Sequence, residues 1–196
     1  MNYLECYKVK DNNLIKEAYN VEGERITINI SKEKFDDLLY SFIELLEGPC
    51  FFILEVPLTL QEEKEIREND FNSFHDQIYY IDGATKEKLK NIFNNYLNVF
   101  KNNGLISFGI ASHISHDEIF FTKYNIAYIY SNNIKKQSEM LSTLDIPQSN
   151  NLITAWDTFN QNTPGEAIDL NGKENNVNSF INYAIKSLGM YKGEIR

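Results

Sequence analysis

Ser31-Lys-Glu-Lys-Phe35-Asp-Asp-Leu-Leu-Tyr40-Ser-Phe-Ile-Glu-Leu45-Leu-Glu-Gly-Pro-Cys50-Phe-Phe-Ile-Leu-Glu-Val56 contains both ingredients of the fold. Its first part predicts a helix over 32–47. Ser31 is a good N-cap, and Gly48-Pro49 is a stop. At about 100° per residue, Phe35, Leu38, Leu39, Phe42, Leu45 and Leu46 share one side. Glu33, Asp36, Asp37, Tyr40, Glu44 and Glu47 share the other. The second part, Cys50–Val56, is a continuous apolar run and reads as a central strand.

Working outward, Thr85 opens a second helix over 86–102, whose Leu89, Ile92, Phe93, Tyr96, Leu97 and Phe100 form an apolar stripe ended by Asn103-Gly104. A third helix is expected near Asn133–Leu144 and a fourth from about Glu174. The stretch Leu60–Asn69 reads as a solvated helix or an acidic loop. Strands are expected at Arg25–Ile30, Gln77–Asp82, Leu105–Ala111, Glu118–Thr122, Asn125–Tyr130, Leu152–Trp156 and Glu166–Leu170. Glu118–Thr122 and Asn125–Tyr130 are close enough to form a hairpin across Lys123-Tyr124. The pattern implies an α+β fold with a mixed, mostly antiparallel sheet covered by amphipathic helices. The 196 residues fit a single domain over 1–196, with a soft boundary near 70–76 between an acidic half and a balanced half.

Charge is unevenly placed. Glu33 to Asp76 holds twelve acidic residues against Lys34, Lys64 and Arg67, which accounts for the whole net charge of −9. A localised field of one sign selects partners of the opposite sign. It argues against nucleic acid and against an anionic membrane surface. Met1–Asn20 has no apolar core of a signal peptide, and no apolar run is long enough to span a bilayer. A cytoplasmic protein is therefore expected. Cys6 and Cys50 are expected to be free thiols, Cys50 buried in its strand.

Three constellations are candidates for function. The acidic helix face, Glu33, Asp36, Asp37, Tyr40, Glu44 and Glu47, carries no lysine among its stacked carboxylates, and Tyr40 sits in its middle as an anchor for a partner. His113-Ile-Ser-His116-Asp117-Glu118 brings two histidines and two carboxylates together, but without a spaced third ligand, so no metal site and no cofactor is expected there. Trp156 and Asp157 mark a candidate pocket, although a lone Trp more often closes a core and Asp157 more often caps a turn. Phosphate-cradling loops, nucleophile elbows and zinc-spaced cysteines are absent.

The acid cluster over Glu33–Asp76, together with Leu152-Ile-Thr-Ala-Trp-Asp-Thr-Phe159 and Pro164-Gly165, resembles the acidic immunity-type proteins that accompany polymorphic toxins in bacteria. The signature from Leu152 to Gly165 spans 14 of the 196 residues. The resemblance implies a cytoplasmic, non-enzymatic module that binds and occludes a basic toxin. Two alternatives stand beside it: an enzyme or metalloprotein using the His113–Glu118 loop, and a structural or small-ligand-binding homodimer. The sequence leaves the oligomeric state open.

Overall fold

Side chains alternate across a strand, so each strand of a sheet sorts its residues onto two faces. In the computed structural model, which describes residues 1–10, 12–66 and 74–196, this sorting runs through an eight-stranded sheet. In chain order its strands are β2 (Ala18–Glu22), β3 (Arg25–Asn29), β4 (Cys50–Pro57), β5 (Asp76–Ala84), β6 (Ser107–Ser112), β7 (Glu118–Thr122), β8 (Ile126–Tyr130) and β10 (Tyr191–Ile195). Their spatial order is β10-β5-β4-β6-β7-β8-β3-β2, and every neighbouring pair is antiparallel. A small second sheet pairs β1 (Tyr7–Lys8) with β9 (Glu166–Ala167). The fold is α+β, with helices packed on the sheet. β4 and β5, which flank the expected soft boundary, pair directly with each other.

The helices lie against one face. They are α1 (Phe35–Leu45), α2 (Leu60–Ile66), α3 (Lys86–Lys101), α4 (Ile134–Thr143) and α5 (Val177–Ser187). Cys50, Phe52 and Leu54 of β4 point toward them and are fully buried. Phe52 lies 5.8 Å from the rings of both Phe93 and Phe100 on α3 and 6.0 Å from Phe180 on α5. Phe35 of α1 packs 4.5 Å from Phe121 on β7. The apolar stripes expected on α1 and α3 are the buried ones, with Phe35, Leu38, Leu39 and Phe42 among them, and α5 buries Val177, Phe180, Ile181 and Ala184 but leaves Ile185 46% exposed.

Helix starts follow local hydrogen bonds. Thr85, Asn133 and Asn176 each accept from the N–H three residues on and cap α3, α4 and α5. α2 opens on a reciprocal capping box in which Thr59 N–H donates to Glu62 (2.9 Å) and Glu62 N–H donates back to Thr59 Oγ1. Residues 67–69 of the expected Leu60–Asn69 segment lie outside the described residues. α1 begins at Phe35, not at the expected Lys32, because Ser31 does not cap it. The Ser31 backbone N–H and hydroxyl both donate to Glu17, whose other oxygen holds Lys34 at 2.7 Å. Burial alone would raise the Glu17 pKa, but these bonds hold it below the usual carboxylate range.

The segment around Trp156 departs from expectation. Leu152–Trp156 is not a strand, because Asp157 draws the Thr154 N–H and hydroxyl to its own carboxylate (2.7 and 2.8 Å) and closes a short 3-10 turn over Trp156–Thr158. Trp156 does not close the core. It is 51% exposed and stands edge-on to Tyr124 and Phe159 at 5.0 and 5.4 Å. Of Glu166–Leu170 only Glu166–Ala167 pairs as a strand. Cys6 and Cys50 are buried free thiols. Among the described residues, no helix is long and apolar enough to cross a membrane.

The Phe52 ring sits where β4, α3 and α5 meet. Phe52→Ala should therefore destabilise the chain by about 3–5 kcal/mol in urea unfolding, as truncation of a buried aromatic does. A loss below about 1 kcal/mol would contradict this packing.

Candidate functional site

The acidic face of α1 lies alongside α3, and α3 supplies lysines. Asp36 pairs with Lys101 at 2.6 Å, and Glu44 pairs with Lys90, which holds its carboxyl below the usual range. Lys86 donates to the Glu44 backbone carbonyl at 2.7 Å. Tyr40 is partly buried and donates to Asn94 Oδ1 at 2.8 Å instead of standing free. Glu33 accepts from Asn2 at 2.8 Å, Asp37 is exposed, and Glu47 offers its backbone carbonyl to Ser112. The stripe has no lysine on its own helix, as its spacing implies, yet its neighbour neutralises two of its carboxylates. The Glu44–Lys90 pair is exposed and screened by water, whereas Lys101 of the other pair is only 18% exposed.

The His113–Glu118 residues are dispersed. His113 Nε2 contacts Asp82 at 2.6 Å, and its ring lies 5.0 Å from Phe51. The His113 bond and the Gly83 N–H hold Asp82 below the usual carboxylate range. His116 is exposed with a positive φ of 58°. Asp117 is buried and accepts from Ser131, whereas Glu118 projects on the opposite face. Among the described residues, no group of three His, Cys, Asp or Glu side chains is placed to hold a metal ion. Asp157 borders a shallow hollow with Leu14 and Ile153, and Trp156 is not part of its lining.

The more distinctive surface is the outer face of the large sheet, which carries no helix among the described residues. Loop 151–159 covers only its β3–β8 end, where Asn29 donates to the Ile153 carbonyl at 2.8 Å and both Asn29 and Ile126 are buried. Elsewhere two rows of outward side chains follow from strand register. One crosses all eight strands as Asn20, Thr27, Tyr128, Phe120, Gly109, Ile53, Tyr80 and Tyr191. The other reads Glu22, Arg25, Tyr130, Glu118, Ala111 and Phe51. Two glycines let rings lie flat: a Cβ at Gly109 would overlap Phe120, and one at Gly193 would overlap Tyr80.

A hollow of about 300 Å³ straddles the first row, walled by Ile53, Ile78, Tyr80, Phe120, Tyr128 and Tyr130. Two carboxylates face it. Glu55 is only 19% exposed, with Arg196 at 3.7 Å. Burial and then the Asp76 charge push its pKa up, Arg196 pulls it back, and Glu118 and Glu194 push it up again. Burial also raises Glu118, against the pull of the same Arg196. A single arginine thus serves two carboxylates that the sheet has partly desolvated.

No protein-family model, curated protein or solved structure matches this chain.

Sequence reasoning did not single out this face. The available signals were the alternations Glu118/Phe120 and Tyr128/Tyr130 across one hairpin, and Glu55 interrupting an apolar run. Each is ordinary alone, and only register brings them together.

A carboxyl raised in the folded chain adds stability that is fully present below the ordinary carboxylate pKa and lost as pH rises through the raised value. Glu118→Gln should therefore gain on the parent in melting temperature as pH goes from about 4 to 7. A variant-to-parent difference that stays constant over that range would contradict the desolvated setting of Glu118.

Proposed function

We propose that this chain is a non-enzymatic binding module for a basic protein, of the immunity kind, and that its outer sheet face is the docking surface. The observation that carries this reading is the composition of that face. It combines exposed aromatic rings with two partly desolvated carboxylates that share one cation. Aromatic side chains dominate interface energies because they bury large area at small entropic cost. Partly buried carboxylates are screened less by salt than surface ones and so favour a cation brought by a partner. Contiguous exposed apolar patches on a folded chain are associated with interaction surfaces. Phe51, Phe120, Tyr80 and Tyr128 are only partly covered, and Tyr130 and Tyr191 are 42% and 50% exposed.

The α1 face supports the reading less well, because two of its carboxylates, Asp36 and Glu44, are already paired with α3. It lies on the other side of the sheet from the aromatic rows, so a single flat partner surface does not meet both. The resemblance to immunity-type proteins adds the partner class: a toxin domain whose basic surface is covered when bound.

The test is capture of the partner from source cells, followed by binding kinetics at two ionic strengths. The partner should be basic, with association slowed by salt. Tyr130→Ala should raise the off-rate by at least about tenfold, equivalent to about 1.4 kcal/mol, while Asp37→Lys should alter affinity by less than about threefold. Co-expression should also restore growth to a host cell poisoned by the captured partner. Strong loss on Asp37→Lys with none on Tyr130→Ala would move the interface to α1. A partner with no basic surplus would overturn the electrostatic part of the reading.

A further inference from the structure

Resting on that binding reading, we propose that the outer-face hollow receives one arginine side chain of the basic partner, and that Arg196 guards its mouth in the free protein. Charge count comes first. Glu118 has no hydrogen-bond or ion-pair partner within 4 Å among the described residues, and the one cation near Glu55 there is Arg196, at 3.7 Å. Glu55 and Glu118 therefore face a single guanidinium that Glu194 also holds, at 3.2 Å, and a second cation would offset the remaining negative charge.

The chemistry of the walls comes next. A guanidinium is flat, stacks on aromatic rings and donates in a plane to carboxylates, whereas an ammonium is a compact, strongly hydrated point charge. The hollow offers both surfaces, with Tyr80, Phe120 and Tyr128 as rings and Glu55 and Glu118 as acceptors. The same face already shows this combination once. The Arg25 guanidinium lies 5.9 Å above the Tyr128 ring while it pairs with Glu22. The volume of about 300 Å³ is enough for one long side chain.

Arg196 is the last element. Its side chain is 66% exposed, and its contacts are long, 3.7 Å to Glu55 and 3.2 Å to Glu194. Its place is fixed by backbone pairing with Asp76 (2.8 and 3.1 Å) and not by its guanidinium. The side chain is thus free to leave while the strand stays in register. It acts as an internal competitor that lowers the apparent affinity of an incoming arginine.

The experiment is a solution NMR titration of the full chain with N-acetyl-arginine methylamide, with the neutral citrulline and the lysine counterparts as comparators. The arginine probe should shift the amides of Ile53, Gly109, Glu118 and Phe120 in a saturable way, and citrulline should not. Arg196→Ala should tighten the probe several-fold by removing the competitor. Glu118→Gln should weaken it at least about fivefold, and Glu139→Gln on α4 should leave it unchanged. The spectrum of each variant reports whether it is folded. The proposal is overturned if Arg196→Ala shows no saturable shift at these amides, if lysine or citrulline binds equally well, or if Glu118→Gln binds like the parent. Failure of the probe with intact partner binding removes the arginine site and leaves the binding module. A probe that binds while no basic partner is captured does the reverse.

Discussion

Alternation along β4 is the constraint from which the rest follows. Cys50, Phe52 and Leu54 turn inward to the helices, so Phe51, Ile53 and Glu55 must turn outward. Among the described residues, α-helices cover only the inner side. An antiparallel sheet can keep one face in water, and that face then usually alternates to polar residues. Here it does not. Register carries aromatic rings across the middle of the outer face and sets Glu55 and Glu118 among them. The inner face explains stability, through Phe52 and its neighbours at 5.8–6.0 Å. The outer face is the one our proposal assigns to recognition.

The same constraint divides the chain's negative charge into two kinds. On α1 two carboxylates meet lysines from α3: Glu44 pairs with Lys90 in an exposed, water-screened pair, and Asp36 pairs with Lys101, whose side chain is 18% exposed. On the sheet, Glu55 and Glu118 are partly desolvated and share Arg196. Formal charge counts both kinds equally, whereas burial and partner geometry do not. A field that steers association can come from all of them, but only the sheet carboxylates stand to gain a short, weakly screened contact.

Much of the fold was legible because its signals are local. The 3.6-residue stripes of α1, α3 and α5, the caps Thr85 and Asn133, and the hairpin across Lys123-Tyr124 each depend on a few neighbouring residues. The exceptions were set by competitors from afar. Ser31 bonds Glu17, fourteen residues away, and leaves the helix start to Lys34. β2 and β10 were missed because each is short, polar at several positions and at a sheet edge. β10 carries Gly193, whose value lies in admitting the Tyr80 ring and not in any strand preference. The continuous run Cys50–Val56 was read as central, and β4 is central; an apolar run of this kind is typical of strands covered on both faces. Here its second side is the outer face, which carries no helix among the described residues.

Side-chain footprinting by hydroxyl radicals, on the free chain and on its complex with a partner captured from source cells, tests the central claim most directly. The account predicts that Tyr80, Phe120, Tyr128 and Tyr130 lose reactivity in the complex while Tyr40 on α1 keeps its own. Protection of Tyr40 with unchanged reactivity at the four outer-face rings would contradict it.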